Sequence, residues 1–399
     1  MSLATLKNKV EQLVELAQNG GGGEDTVKAQ LEAQKDWDYF CYGGARTDII
    51  NNNPSITKNG ESFMYMYSTC GDEVLPVHDT SKGETFSYMY NDCEYMIEAP
   101  KIDTSNGVMF VSMFNGCTSL EKVDSLDTSR ATHLTSLFYG CNSLTKVPVI
   151  DISNATVINS MFWNCYALEE FPTITGESKS LNSATNMFNG SAINSVTNLT
   201  LGSPESTSTT LNALNCFANC SDLETVDTIK VFSKTNTTVT TMFQECTSLK
   251  YIKHLEIPRF YAGANLFKNC SALTTIDYLD IGSANTAVTA SAYNNVFAGC
   301  ESLTTINSLK TGMFNATMFQ GCPNLTTCIL TNEVRVKTTN SLNLSYCPNL
   351  TVESIMSFVN NITRNTSSTK YNIVFGETNL AKLTDEQKQI LIDKNYNLT

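Results

Sequence analysis

Fourteen cysteines and three histidines are the residues of this 399-residue chain that could bind a metal or act as nucleophile and base. Their spacing points elsewhere. Eleven of the cysteines fall at one position of a recurring cassette, with spacings of 22 to 30 residues. A disulfide framework uses irregular pair spacings, and zinc sites use Cys-x-x-Cys; the nearest pair here, Cys216 and Cys220, is one residue longer than that. The expectation is a ladder of buried thiols acting as small hydrophobes, made by Cys93, Cys117, Cys141, Cys165, Cys220, Cys246, Cys270, Cys300 and Cys322, with worn copies at Cys70 and Cys347. Cys216 stands in a Met place and Cys328 in a Val/Ile place. His78 and His254 both lie eight residues after a repeat cysteine, but seven units apart, which at one strand spacing per unit is ~34 Å. His133 sits at another phase. No two histidines are expected to share a metal or a triad, and each is expected on the solvated surface. No serine-nucleophile elbow, zinc-protease helix or phosphate-binding loop occurs. The chain is therefore expected to have no catalytic residue, no metal and no cofactor.

Two weaker patterns remain. Asp103, Asp127 and Asp151 each stand ten residues after their cysteine, before Thr-Ser or Ile-Ser, and Glu256 and Asp280 repeat that phase. Three stacked carboxylates could hold Ca²⁺, but turn capping by Asp explains them without an ion. Tyr139 and Trp163 share the phase two before cysteine on consecutive units, Asn115 precedes them at the same phase, and Tyr166 follows Cys165. Aromatic faces beside amides suit sugar rings, so these three aromatics are the candidate ligand-contact residues.

The elements that must position these residues are the repeats themselves. Met113-Phe114-Asn115-Gly116-Cys117-Thr118-Ser119-Leu120 returns as Leu137 to Leu144 and as Met161 to Leu168, and again around Cys220, Cys246, Cys270, Cys300 and Cys322. One copy, Met187 to Ser191, has lost its cysteine. Phe lies three before Cys, Leu three after and Val or Ile six after. A unit this short has no core of its own, so stacking must supply one. The Leu-x-x-Val/Ile part predicts a short strand, and the stretch before Met-Phe, such as Asn154 to Met161, predicts a helical turn. Longer units carry Ser/Thr insertions such as Gly202 to Thr210.

The Asp-Thr-Ser run joined to Met-Phe-x-Gly-Cys-x-Ser-Leu resembles the BspA-like leucine-rich repeat proteins of bacterial surfaces and their phages. The spacing of cysteine to the next leucine departs from the general leucine-rich pattern, so the horseshoe geometry of that pattern is not carried over. The resemblance implies an α/β, leucine-rich-repeat-type solenoid of about twelve coils over residues 60–350. It also implies a non-catalytic binding or display scaffold, as in adhesins.

Residues 1–19 predict an amphipathic or coiled-coil helix with Leu3, Leu6, Val10 and Leu13 on its seam, a candidate for oligomerisation or docking. Residues 20–59 form a glycine linker and entry segment, and residues 351–399 a mixed α/β cap. In that cap a helix is expected over Thr351 to Asn361, a strand over Tyr371 to Phe375, and a helix opened by a Thr384/Gln387 capping box. A short leading helix, a glycine linker and a repeat body is also a layout similar to phage tail and fibre proteins.

A net charge of −13 argues against nucleic acid and anionic lipid as partners, and no apolar stretch is long enough to enter a membrane. Met1 to Gly20 lacks the apolar region of a signal peptide. The leading expectation is a virion-surface protein contacting host-surface glycan or protein, with other virion proteins or a second copy as further partners. The alternative is a bacterial cell-surface adhesin.

Overall fold

The computed structural model describes Trp37 and residues 57–282, 288–334, 336, 338 and 341–399. The expected N-terminal helix, with Leu3, Leu6, Val10 and Leu13, lies outside the described residues, as does most of the entry segment. The chain divides into two compact units, residues 1–178 and 179–399.

In both units the cassette is a chain of tight turns. Residues five before and one before the cysteine take left-handed backbone: Ser112 (φ 53°) and Gly116 (φ 73°) in one repeat, Ser136 (φ 55°) and Gly140 (φ 69°) in the next, Asn265 (φ 61°) and Asn269 (φ 63°) in unit 2. Glycine and short polar side chains favour that region, which is why Ser, Asn and Gly recur there. Amide groups then alternate. Met113, Asn115 and Cys117 donate back to the carbonyls of Phe110, Ser112 and Phe114, while Ser112, Phe114 and Gly116 donate to Thr135, Leu137 and Tyr139 of the following repeat. The helical turn expected over Asn154 to Met161 does not form. Val157 makes a parallel bridge to His133, Ser160 is left-handed (φ 55°), and a helix admits neither.

These turns send Phe110, Met113, Phe114 and Cys117 of one repeat inward, and their equivalents in the others. In unit 1 the inward rings stack in one file, Tyr67, Tyr90, Phe114, Phe138 and Phe162, with centroids 5.4 to 5.7 Å apart. A second file, Phe63, Phe86 and Phe110, runs beside it at 5.5 to 5.7 Å. Unit 2 continues the pattern with Phe188, Phe217, Phe243, Phe267, Phe297 and Phe319 at 5.3 to 5.7 Å. These rings are fully buried, and stacked rings add to the area they remove from water.

After the cassette the units differ. Unit 1 pairs its repeats by isolated bridges, Glu98 to Lys122 to Lys146, and by two short strands, β1 (Ile150–Asp151) and β2 (Ile174–Thr175). Unit 2 builds a six-stranded parallel sheet from β3 (Ser195–Leu201), β5 (Thr225–Val231), β7 (Tyr251–Glu256), β9 (Thr275–Ile281), β10 (Thr305–Thr311) and β11 (Thr327–Leu330). A second parallel sheet joins β4 (Thr210–Asn212), β6 (Asn236–Thr238) and β8 (Phe260–Ala262). Parallel strands in chain order are the arrangement of a leucine-rich-type repeat fold. Val226, Ile252, Ile276 and Ile306 stand in register and are buried, which accounts for the Val/Ile six after cysteine; Val196, five after Ser191, joins the same row.

The open edge of β11 is covered by side chains of α1 (Val352–Asn361). Ser354 and Ser357 accept from the amides of Cys328 and Leu330 at 3.0 and 3.1 Å, and Asn361 donates to the Leu330 carbonyl at 2.9 Å. A bare edge would be a template for further pairing, and this helix removes it. Thr351 caps α1, with Ile355, Phe358 and Val359 buried, whereas Val352, at the first turn, stays exposed. Strands β12 (Tyr371–Ile373) and β13 (Tyr396–Leu398) pair in parallel. Between them lie α2 (Glu377–Leu380) and α3 (Asp385–Asp393), the latter opened by the Thr384/Gln387 capping box. Among the described residues no helix is long and apolar enough to cross a membrane.

Candidate functional site

The thiol ladder is built from hydrogen bonds as well as packing. In unit 1, Cys93, Cys117, Cys141 and Cys165 donate Sγ–H to the carbonyls of Tyr67, Tyr90, Phe114 and Phe138, the aromatic residues of the preceding repeats, at 3.0 to 3.1 Å. In unit 2, Cys220, Cys246, Cys270, Cys300 and Cys322 do the same to Phe188, Phe217, Phe243, Phe267 and Phe297 at 3.0 to 3.2 Å. Each acceptor also receives an amide of its own turn, so the thiol takes the second lone pair of a buried carbonyl. Ser191, in the cysteine place, turns its hydroxyl to its own Phe188 carbonyl at 2.8 Å instead. Burial pushes the Cys93 and Cys347 thiols up to about 12, and holds those of Cys117, Cys141, Cys220 and Cys246 well above the ordinary thiol range. A thiol held protonated is neither a nucleophile nor a metal ligand.

The carboxylates have local work. Asp103, Asp127 and Asp151 accept the amides of Ser105, Ser129 and Ser153 at 2.8 to 2.9 Å, each closing an Asx turn. The following threonine reaches across repeats. Thr104 Oγ1 donates to the Asp127 carbonyl at 3.1 Å and accepts its amide at 2.8 Å; Thr128 does the same with Asp151 at 3.0 and 2.8 Å. Among the described residues no group of three or more His, Cys, Asp or Glu is placed to hold a metal ion.

The histidines occupy different environments. His78 is buried against the rings of Phe63 and Tyr67, with Nδ1 3.2 Å from the Pro76 carbonyl, and desolvation lowers its pKa to about 4. The surface position expected for it is thus overturned: this early repeat closes one residue sooner, and the ring turns into the core. His254 lies on the outer face of β7, stacked on Tyr278 at 4.5 Å and 3.4 Å from Glu256. That face is an interlocked set of pairs: Tyr251 to Asp277, Lys253 to Asp227 at 2.6 Å, Asn307 to Asp277 at 2.9 Å and Lys310 to Asp280 at 2.9 Å. Its polar groups answer one another across neighbouring strands.

The aromatic candidates lie on the turn face of unit 1. Tyr139 and Trp163 meet edge to face, with centroids 5.2 Å apart, and both stay half-buried. One row back, Asn115 donates its amide to Asn91 at 2.8 Å, so two amides and two rings run in one line across four repeats. Tyr166 is 59% exposed on the next turn. Sequence reasoning missed a second aromatic pair. Tyr65 and Tyr88, half-buried and parallel at 4.5 Å, sit at the left-handed position five before cysteine, with φ of 57° and 59°. A bulky side chain is costly there, and the other repeats with left-handed backbone at that position use Ser, Asn or Thr. The break in that Ser/Asn column is the signal that could have revealed them.

Comparison with known proteins places this geometry. The family described as "BspA type Leucine rich repeat region" matches residues 184–295 and 262–386, together just over half of the chain. A family described as "Mycoplasma protein of unknown function, DUF285" matches residues 61–171 and 84–200. No curated protein matches. Among solved structures, a leucine rich cell surface protein from Faecalibacterium prausnitzii A2-165 is similar at 14% identity and TM-score 0.23, covering 63% of this chain and 78% of that one. A leucine-rich repeat protein from Bacteroides ovatus ATCC 8483 is similar at 16% identity and TM-score 0.22, covering 79% of this chain and 87% of that one. With its recurring Met-Phe-x-x-Cys-x-x-Leu cassette and parallel repeat sheet, the chain belongs to the BspA-type leucine-rich repeat family.

Proposed function

We propose that this protein is a non-enzymatic binding scaffold displayed on a surface, and that the turn face of unit 1 contacts host-surface glycan. The observation that carries the reading is the line of Asn91, Asn115, Tyr139 and Trp163, which offers ring faces and edges beside amide donors and acceptors. A pyranose has an apolar face and a rim of hydroxyls, and such a line meets both. Tyr166 extends the apolar area. The buried, protonated thiols support a ladder that packs and does not react.

The finer reading is a component of a phage particle of tail or fibre type. The leading heptad-patterned segment with Leu3, Leu6, Val10 and Leu13 would dock it to other virion proteins or to further copies of itself. A cell-surface adhesin of the same repeat family is the alternative, favoured by the family's BspA-type cassette. Immunogold electron microscopy of a producing culture after prophage induction separates the two. Gold on tails or capsids of released particles supports the virion reading, and gold on the cell wall with bare particles supports the adhesin. Glycan contact is tested by titrating glycans against the full chain and its Tyr139→Ala/Trp163→Ala variant. A weakening of about tenfold or more is expected, and equal binding by the two proteins removes this face from the account.

A further inference from the structure

The insertion that lengthens the repeat after Ser191 shapes two adjoining clefts in unit 2. One, of about 500 Å³, has Pro204, Phe232 and Pro258 as its apolar lining, contributed by equivalent loops of three successive repeats. Lys234 and Arg259 stand at the same cleft, both exposed. Neither forms an ion pair among the described residues. The cleft's one carboxylate, Glu205, is held by Lys179 at 2.5 Å. On the other side of the same segment, Thr207 to Thr210 face Ser180, Asn182 and Ser183 across a cleft of about 670 Å³ lined entirely by hydroxyl and amide side chains. Ser206 lines the first cleft and Thr207 the second, so the two are neighbours along the chain.

We infer that these two clefts form a binding site for an acidic oligosaccharide, with a hexuronate residue in the first and a neutral sugar in the second. Phe232 and the two prolines give the pyranose an apolar face. Lys234 and Arg259 meet its carboxylate as charge-assisted donors. In a chain of net charge −13, two uncompensated cations at a concave, partly apolar site mark an anion's place. The outer face of the sheet offers the contrast, since its Lys253 and Lys310 are each paired with an aspartate of a neighbouring strand. A hydroxyl-lined second cleft suits a neutral sugar's ring of donors and acceptors. In repeat proteins, insertions gather on the face that binds. The inference rests on the reading of the chain as a binding scaffold but uses residues far in sequence from Tyr139 and Trp163, so the two sites fail separately.

The test is calorimetric titration of the full chain with three probes: a hexuronate-containing tetrasaccharide, its carboxyl-reduced neutral counterpart and a glutamate-rich peptide. The acidic sugar is expected to bind at least about tenfold tighter than the neutral one, with affinity falling as salt rises. Lys234→Ala/Arg259→Ala is expected to erase that preference while leaving the circular dichroism spectrum unchanged, because both side chains are exposed. Tyr139→Ala/Trp163→Ala is expected to retain it. Equal affinity for the two sugars, tighter binding of the peptide, no binding of any probe, or loss of the preference in the Tyr139→Ala/Trp163→Ala variant would each overturn the assignment.

Discussion

Units 1 and 2 share the turn cassette down to its left-handed positions and thiol bonds, yet they join their repeats by different means beyond it. Unit 2 runs parallel strands of six or seven residues through most of its repeats, so the main chain itself carries the ladder. Unit 1 has proline seven after cysteine at Pro100, Pro148 and Pro172, where unit 2 has Asp227, Lys253, Asp277 and Asn307. A proline has no amide to give the ladder. Where the backbone bonds run out, Thr104 and Thr128 reach across to both polar groups of the next repeat's aspartate. The same phase in unit 2 holds Val231, Ile257 and Ile281, which are buried. One repeat solves a single problem twice, with main-chain bonds in one unit and side-chain bonds in the other.

The largest expected effect tests what the units share. Phe138→Ala in unit 1 and Phe243→Ala in unit 2 each remove a ring stacked on both sides, at a cost of about 3–5 kcal/mol. Thermal unfolding should show similar losses from the two variants; a loss confined to one would mean that the files do not carry equal weight. Next comes what divides them. Thr128→Val leaves the amide and carbonyl of Asp151 without their partner, a loss of about 1–3 kcal/mol by denaturant titration. Val231→Thr, at the same phase of unit 2, should bring no compensating gain, because the strand bonds there are already made.

Cys141→Ala and Cys246→Ala should each cost about 1–2 kcal/mol, from a small cavity and a carbonyl that loses its second donor. A neutral result in both would show that the thiols only fill space. The last effect is absent at neutral pH. Burial holds His78 at about 4, below its ordinary 6.5, so the unfolded chain takes up the proton first. Stability is therefore full above pH 6.5 and falls as the pH drops toward 4. His78→Gln should flatten that part of the stability–pH curve, and an unchanged slope would assign the acid sensitivity to other groups.

Much of this was legible in the sequence. The period, the inward Phe and Leu, the Val/Ile of the strands and the Asx turns all follow from residues at fixed spacing, because stacked repeats turn sequence phase into position. The capping box at Thr384 was legible for the same local reason. What escaped depends on geometry between repeats. The thiols read as small hydrophobes because only the stacked backbone shows which carbonyl they meet. The segment before Met-Phe read as helix because its buried residues, Ala155, Ile158, Met161 and Phe162, fall at helical spacing, while the left-handed residue that breaks the helix is an ordinary serine. His78 read as surface because its phase matches His254, and a repeat one residue shorter was enough to turn it inward. The Tyr139–Trp163 pair could be proposed from phase alone, whereas in the cleft Lys234 and Arg259 stand fourteen and thirteen after their cysteines, so phase does not bring them together.

The reading of this chain as a scaffold that binds and does not turn over is tested most directly on insoluble cell-wall polysaccharide from the host bacterium. The full chain is incubated with it, and both the retained protein and the released reducing ends are measured. The expected result is retention that competes with soluble fragments of the same polysaccharide and falls in the Tyr139→Ala/Trp163→Ala variant, with no reducing ends above the protein-free control. Reducing ends that grow with time and protein concentration would contradict it, and so would protein that stays wholly in solution.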